Sequence, residues 1–258
     1  MNHDERPVAL ITGAAQRLGR HIAKLLAANG WNIALHYRSS AADAAQAITE
    51  LSELGGQHHA IQADLSQEAA CRQLFDTALK HFGRVDAVIN NAALFEYDDI
   101  DSFNAGNLQA HIMPNLAAPV LLAQALHQHW LKQPAGTTGV VINLLDQKLS
   151  NPNPDFLSYS LSKAALKTAT VMLAKALAPH VRVVGVSPGL TLPSHMQTEE
   201  AFQKTHRLAP LGHSSRPDDI AQAILFILNS PCITGVDLPV DGGQHLVGMA
   251  RDFSLMES

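Results

Sequence analysis

Residues 7–30 read PVALITGAAQRLGRHIAKLLAANG. An apolar run ends at Thr12, a glycine-bearing turn follows, and a helical pattern begins near Arg17. That order puts the helix's first N–H groups, and the positive end of its dipole, at the strand's carboxyl end. Gly13 and Gly19 permit a tight turn and close backbone approach, so the turn suits a diphosphate. The spacing is Thr-Gly-x-x-x-Arg-x-Gly, distinct from the commoner Gly-x-Gly-x-x-Gly. A glycine turn alone is equally an ordinary strand–helix connection. The second strand pattern that follows at once, NIALHYR, weighs against that bland reading.

Working outward, strand patterns VALIT, NIALHYR, HHAIQAD, VDAVIN, GVVINLL, VRVVGVS and VDLPV alternate with helical patterns near 17–29, 41–54, 67–82, 102–130, 156–178 and 217–229. Several strands are too apolar to have a wet face, as a parallel sheet covered on both sides requires. The expectation is an α/β fold, with residues 1–258 as one doubly wound Rossmann-type domain. Its sheet is mostly parallel and seven-stranded, flanked by helices. The segment near 190–215 has little pattern and follows Pro188-Gly189 at a strand's end, where ligands of open α/β sheets bind. It is expected to be a substrate-binding loop, with an ordinary surface excursion as the alternative.

Composition narrows the class. The 258-residue chain is 47% hydrophobic and 16% charged with net charge −5, which argues against a nucleic-acid surface. Two cysteines, Cys71 and Cys232, form neither a disulfide framework nor a metal spacing, and a reducing cytoplasm is expected. MNHDERPVAL does not read as a signal peptide, and no run approaches the roughly 18 apolar residues of a membrane span. The 14 histidines invite a metal reading, yet His127 and His129 diverge on a helix and His58 and His59 alternate on a strand. No metal is expected. The run Asp98, Asp99, Asp101 reads as a solvated helix start.

The chemistry concentrates in DQKLSNPNPDFLSYSLSK, residues 146–163. Tyr159 and Lys163 stand four apart, one helical turn on one face. A neighbouring ammonium favours phenolate, so the Tyr159 pKa is expected to fall towards neutrality. A lone Tyr-x-x-x-Lys can equally be a polar helix face, but Asp146 ends GVVINLLD where a strand delivers its last side chain to the same cleft. A carboxyl group there suits a substrate with a nitrogen-rich edge or a need for a proton.

Taken together these residues resemble the short-chain dehydrogenase/reductase family over nearly the whole chain. The resemblance lies in the turn Thr12–Gly19, Asp64 in ADLS, Asn90-Asn91-Ala92 with Ala93 in place of glycine, and Asn115. It continues through the pair Tyr159 and Lys163, Pro188-Gly189, and ITGVDLPVDGGQHL. It implies an oxidoreductase whose nicotinamide cofactor contacts Gly13, Arg17, Leu18, Gly19, Asp64, Leu65, Asn91, Ala92, Lys163, Pro188, Gly189 and Leu190. It also implies a tetramer and an Asn115 that holds a proton-relaying water. Within the family, Arg17, HYRSS, Phe95 and Asp146 look like the pteridine reductases and dihydromonapterin reductases. That implies a dihydropterin stacked on Phe95, near Arg17, Asp146 and Tyr159, while Ala93 loses one polar contact seen in some members. A buried core phenylalanine is the plain alternative for Phe95.

Cofactor choice is read at the second strand's end. An NAD-preferring chain carries a carboxylate there, whereas His36, Tyr37, Arg38, Ser39 and Ser40 supply cations and donors with no acid before Asp43. Guanidinium groups suit phosphate oxygens, so NADPH is expected. Three functions compete: pteridine reduction, reduction of a carbonyl or sugar on the same fold, and a catalytically silent nucleotide sensor. Carbonyl reducers of this family have serine where Asp146 stands, since an ionised carboxylate cannot donate to a carbonyl oxygen. A silent sensor has no need to keep both Tyr159 and Lys163. Turnover of NADPH with and without a dihydropterin discriminates among them.

Overall fold

The computed structural model describes residues 6–133, 138–193 and 198–255. Val8–Ile11 forms β1, and Arg17–Ala28 forms α1 behind the glycine turn. Then come β2 (Asn32–Tyr37), α2 (Ala41–Ser52), β3 (His58–Gln62), α3 (Glu68–Phe82) and β4 (Ala87–Asn90). The second half supplies α4 (Ala105–Ile112), α5 (Ala118–Trp130), β5 (Gly139–Leu144), α6 (Leu157–Ala176) and β6 (Val181–Pro188). It ends with α7 (Glu199–His206), α8 (Pro217–Leu228) and β7 (Asp237–Val240).

The strands form one sheet in the order β3-β2-β1-β4-β5-β6-β7, and every pairing is parallel. The order reverses between β1 and β4, which opens a crevice at their carboxyl ends. β1 shows why the sheet must be covered twice. Ala9 and Ile11 pack with Ile22 and Leu26 of α1 and Ile220 and Ile224 of α8. Val8 and Leu10 face the other way, onto Leu74 and Phe75 of α3 and Leu122 and Leu126 of α5. Each fully buried Leu or Ile contributes roughly 1.5–3 kcal/mol of apolar burial. Among the described residues, no helix is long and apolar enough to cross a membrane.

Two expected segments differ. The single helix expected over 102–130 is interrupted by a π-helical turn at Met113–Ala117 containing Pro114. Proline offers no N–H and its ring crowds the preceding turn, so the regular ladder cannot run through it. The patternless stretch 190–215 contains α7, capped by Thr198, whose hydroxyl accepts from Ala201 N at 3.2 Å. Its apolar anchor is Phe202, too little for a readable period. Residues 194–197 of that stretch lie outside the described residues.

Candidate active site

The glycine turn is held from three directions. The Thr12 hydroxyl accepts from Asn91 N and Ala92 N, both at 3.0 Å. The Asn91 amide donates to the carbonyls of Thr12 and Gly13 at 2.9 and 3.2 Å. Gly13 has φ +64°, and its N–H donates to His36 Nδ1 at 3.0 Å. A Cβ on Gly19 would sit 2.3 Å from the Gly13 carbonyl oxygen, so only glycine lets α1 approach. No side chain caps the first turn of α1, because the Gln16 amide turns away to Asp43 at 2.6 Å. The helix start therefore presents open N–H groups to the crevice.

A cleft of about 710 Å³ lies over this turn, lined by Arg17, Leu18, Arg38, Ser39, Asp64 and Asn91 among others. Tyr37, Leu65 and Ala92 also border it. His36 reaches the wall, but its expected role is corrected. Buried at 2% exposure, it accepts from Gly13 N, and Nε2 faces the Ala63 carbonyl at 3.1 Å. Burial lowers its pKa, so it is a neutral brace for the turn and not a cation for a phosphate. Arg17 sits at φ +49° and donates to the Pro193 carbonyl at 2.7 Å, linking the turn to the segment behind β6. At the end of β6, Gly189 N donates to Val240 O at 3.1 Å and Leu190 N to Gln244 Oε1 at 2.8 Å.

Asp146, Tyr159 and Lys163 meet at the end of β5. Asp146 opens a short 3₁₀ turn; its Oδ1 accepts from Lys148 N at 2.8 Å and its Oδ2 from the Tyr159 hydroxyl at 2.9 Å. Lys163 Nζ donates to the Leu144 carbonyl at 2.7 Å and lies 5.8 Å from the Tyr159 ring centre. The expected depression of the Tyr159 pKa is therefore corrected. Burial first, then the Asp146 charge, pushes the phenol well above its ordinary value. Burial also raises the Asp146 carboxyl and brings Lys163 down to about 8. A neutral phenol bonded to a carboxyl of raised pKa is a proton store in a low-dielectric pocket.

Phe95 is half-buried and stacks on Phe156 at 4.3 Å and 13°, edge-on to Tyr159 at 4.7 Å. Lys148 Nζ backs Phe156 at 5.3 Å and bonds Asp252 at 2.9 Å and the Asp155 carbonyl at 2.5 Å. Neither Phe156 nor Lys148 carries a local sequence signal; both are placed by contacts across the chain. Asn115, in the π turn, accepts from Leu94 N at 2.7 Å and donates to Leu94 O and the Ser162 hydroxyl, both at 2.9 Å. Its side chain pins the turn to α6. The aspartate run is corrected too: Asp98 is 1% exposed, and α4 starts only at Ala105 behind the cap Asn104.

The family model for enoyl-(acyl carrier protein) reductase matches residues 13–245. The chain belongs to the short-chain dehydrogenase/reductase family. As a short-chain dehydrogenase/reductase it is an oxidoreductase. It is 31% identical to pteridine reductase 1 of Leishmania tarentolae over 93% of this chain and 96% of that protein. It is also 31% identical to the 3-oxoacyl-[acyl-carrier-protein] reductase of Synechocystis sp., over 92% and 96%. Among solved structures, FolM alternative dihydrofolate reductase 1 from Brucella canis, complexed with NADP, superposes with TM-score 0.86 at 33% identity. That match covers 93% of this chain and 95% of the other.

Proposed function

We propose that this oxidoreductase uses NADPH to reduce a dihydropteridine to its tetrahydro form. The substrate is of the dihydromonapterin or dihydrobiopterin type, or dihydrofolate. The observation that carries the reading is the 2.9 Å bond from Tyr159 to Asp146 with the Phe95 ring edge-on beside it. A carboxyl group can accept from and donate to a nitrogen-rich ring edge, and an aromatic face suits a flat heterocycle. The pteridine reductase and dihydrofolate reductase relatives support it.

The cradle fits a dinucleotide phosphate. The uncapped start of α1 and the Cβ-free approach at Gly19 suit a diphosphate, and Arg17, Arg38 and Ser39 line the cleft without a carboxylate on β2. Asp64, Leu65, Asn91 and Ala92 border the cleft and would meet the adenosine side; Pro188, Gly189 and Leu190, at the end of β6, would meet the nicotinamide. When bound, NADPH supplies hydride to a ring C=N carbon. The chain's own groups do the rest: Phe95 orients the ring, Tyr159 and Asp146 deliver the proton to nitrogen, and Lys163 holds positive charge beneath them. Asn115 pins the π turn to Ser162, the residue before Lys163, and a relay water is expected there. Leu161, Val171 and Met172, exposed on α6, are the surface that a homotetramer would cover.

A second reading, reduction of a 3-oxoacyl or sugar carbonyl, is favoured by the equally similar Synechocystis protein. Turnover of dihydropterins against a panel of ketones, aldehydes and acyl thioesters separates the two. Pterins should be far faster, with Asp146→Ser severely impaired and Phe95→Ala mainly raised in KM. Reduction of a simple carbonyl with dihydropterins untouched would sink the proposal. NADPH should exceed NADH by more than about tenfold in kcat/KM, since tenfold corresponds to about 1.4 kcal/mol and one charge-assisted bond supplies that. Equal values would remove the assignment of Arg17, Arg38 and Ser39.

A further inference from the structure

Asp98 is held at the start of α6, on the connection between β4 and α4. Its Oδ1 accepts from Ser158 N at 2.9 Å, its Oδ2 from the Ser158 hydroxyl, and its carbonyl from Leu157 N at 3.1 Å. Leu157 and Ser158 open the first turn of α6, whose N–H groups need outside acceptors. The residue at the cap position, Phe156, has no side-chain acceptor and stands at φ +54°, a left-handed conformation that is costly for a bulky side chain. The cap is therefore delivered from 60 residues away in sequence. A carboxylate there also meets the positive end of the helix dipole.

The connection that brings Asp98 also brings Phe95, three residues earlier. Phe95 stacks on Phe156 and lies edge-on to Tyr159, and Tyr97 closes on Phe156 edge-on at 5.2 Å. Tyr159 directly follows Ser158. One carboxylate thus joins the segment that carries the aromatic face to the helix turn that carries the hydroxyl.

We propose that Asp98 is a positioning residue: by capping α6 from the β4–α4 connection, it sets the Tyr159 hydroxyl against Asp146 and fixes the spacing between Tyr159 and Phe95. This rests on the proposed function only in taking Tyr159 as the proton donor; the identity of the substrate does not enter.

The test is a double-mutant cycle. Asp98→Ala, Asp98→Asn and Ser158→Ala are made alone and with Tyr159→Phe, and NADPH-dependent reduction is followed with a dihydropterin and with a carbonyl substrate. Asp98→Ala should lower kcat by about tenfold or more, because small misplacements of reacting groups are costly, while KM for NADPH stays within about twofold. Asp98→Asn keeps an oxygen for Ser158 N and should recover most of that loss. On the Tyr159→Phe background, Asp98→Ala should lower kcat by less than about twofold more, since it acts through a hydroxyl already removed. Full additivity of the two losses would mean that Asp98 only stabilises the fold, and would overturn the proposal.

A second readout needs no substrate, so it survives failure of the proposed function. The chain has 3 tyrosines, and ¹³C-labelled tyrosine resolves their titrations. In folded Asp98→Ala the Tyr159 midpoint should fall, because the Asp146 charge and hydrogen bond hold the phenol less well, while burial keeps it above the ordinary phenol value. An unchanged Tyr159 midpoint overturns the proposal. If Asp98→Ala does not fold, Ser158→Ala must show the same fall in smaller measure, and an unmoved midpoint there overturns it equally.

Discussion

Tyr159 is protonated throughout the physiological range, because burial and the Asp146 charge both disfavour its phenolate. In the proposed reaction its contribution is a proton held in place, so Tyr159→Phe, which keeps the ring, should lower kcat by about 10²-fold or more. Steady-state kinetics check it, with NADPH affinity little changed; parent-like turnover would mean that Asp146 alone handles the proton. The group whose charge changes near neutrality is Lys163, brought down to about 8 by burial. Below that pH the ammonium is present, and above it the charge is lost. The kcat/KM profile should therefore decline above about pH 8, where burial places the Lys163 titration. A profile flat to pH 10, beyond the range in which burial places Lys163, would show that its charge is not used.

At the scale of elements, the break between α4 and α5 is what brings Asn115 to the site. A regular helix through Pro114 would rotate Asn115 away from Leu94 and Ser162. Asn115→Ala removes three hydrogen bonds, two of them to the backbone of Leu94, beside the aromatic segment. At roughly 0.5–1.5 kcal/mol each, with a penalty for groups left unpaired, the loss should reach about 2–4 kcal/mol. Denaturant unfolding measures it. A change below about 0.5 kcal/mol, within the range of ordinary surface substitutions, would show that the π turn holds itself. Arg17 and Phe156, non-glycine residues at positive φ, flank the site on two other elements. Their side chains are held by distant contacts, Arg17 by the Pro193 carbonyl and Phe156 by Phe95 and Lys148.

For the whole molecule, the titration of several buried and half-buried groups has a common sign. His36, His58, His59, His127 and His129 all have pKa values lowered first by burial. Unfolded histidines take protons near about 6.5, while these stay neutral to lower pH, so the unfolded state binds more protons as pH falls through that range. Stability should therefore drop as pH falls from 7 towards 5, the window below the unfolded histidine value. Asp64, Asp99 and Asp155, whose pKa values are lowered, extend the loss into more acid solution. Asp146, whose value is raised by burial, works in the opposite direction. Thermal melts across pH check the sum; a melting temperature constant from pH 7 to 5 would contradict it.

The alternation of strands and helices, the glycine turn and the one-face placement of Tyr159 and Lys163 were legible in the amino-acid order. Each depends on residues within a few positions of one another, and periods of 2 and 3.6 write such relations directly into the sequence. The parallel sheet followed from strands apolar on both faces. The direction of the Tyr159 bond, the neutral brace at His36, the burial of Asp98 and the break at Pro114 are of another kind. The first three depend on partners 13, 23 and 60 residues away. Whether an ionisable side chain is charged, and what it grips, is decided by how far packing removes it from water and which distant atoms packing brings to it. That information exists only once the chain has folded.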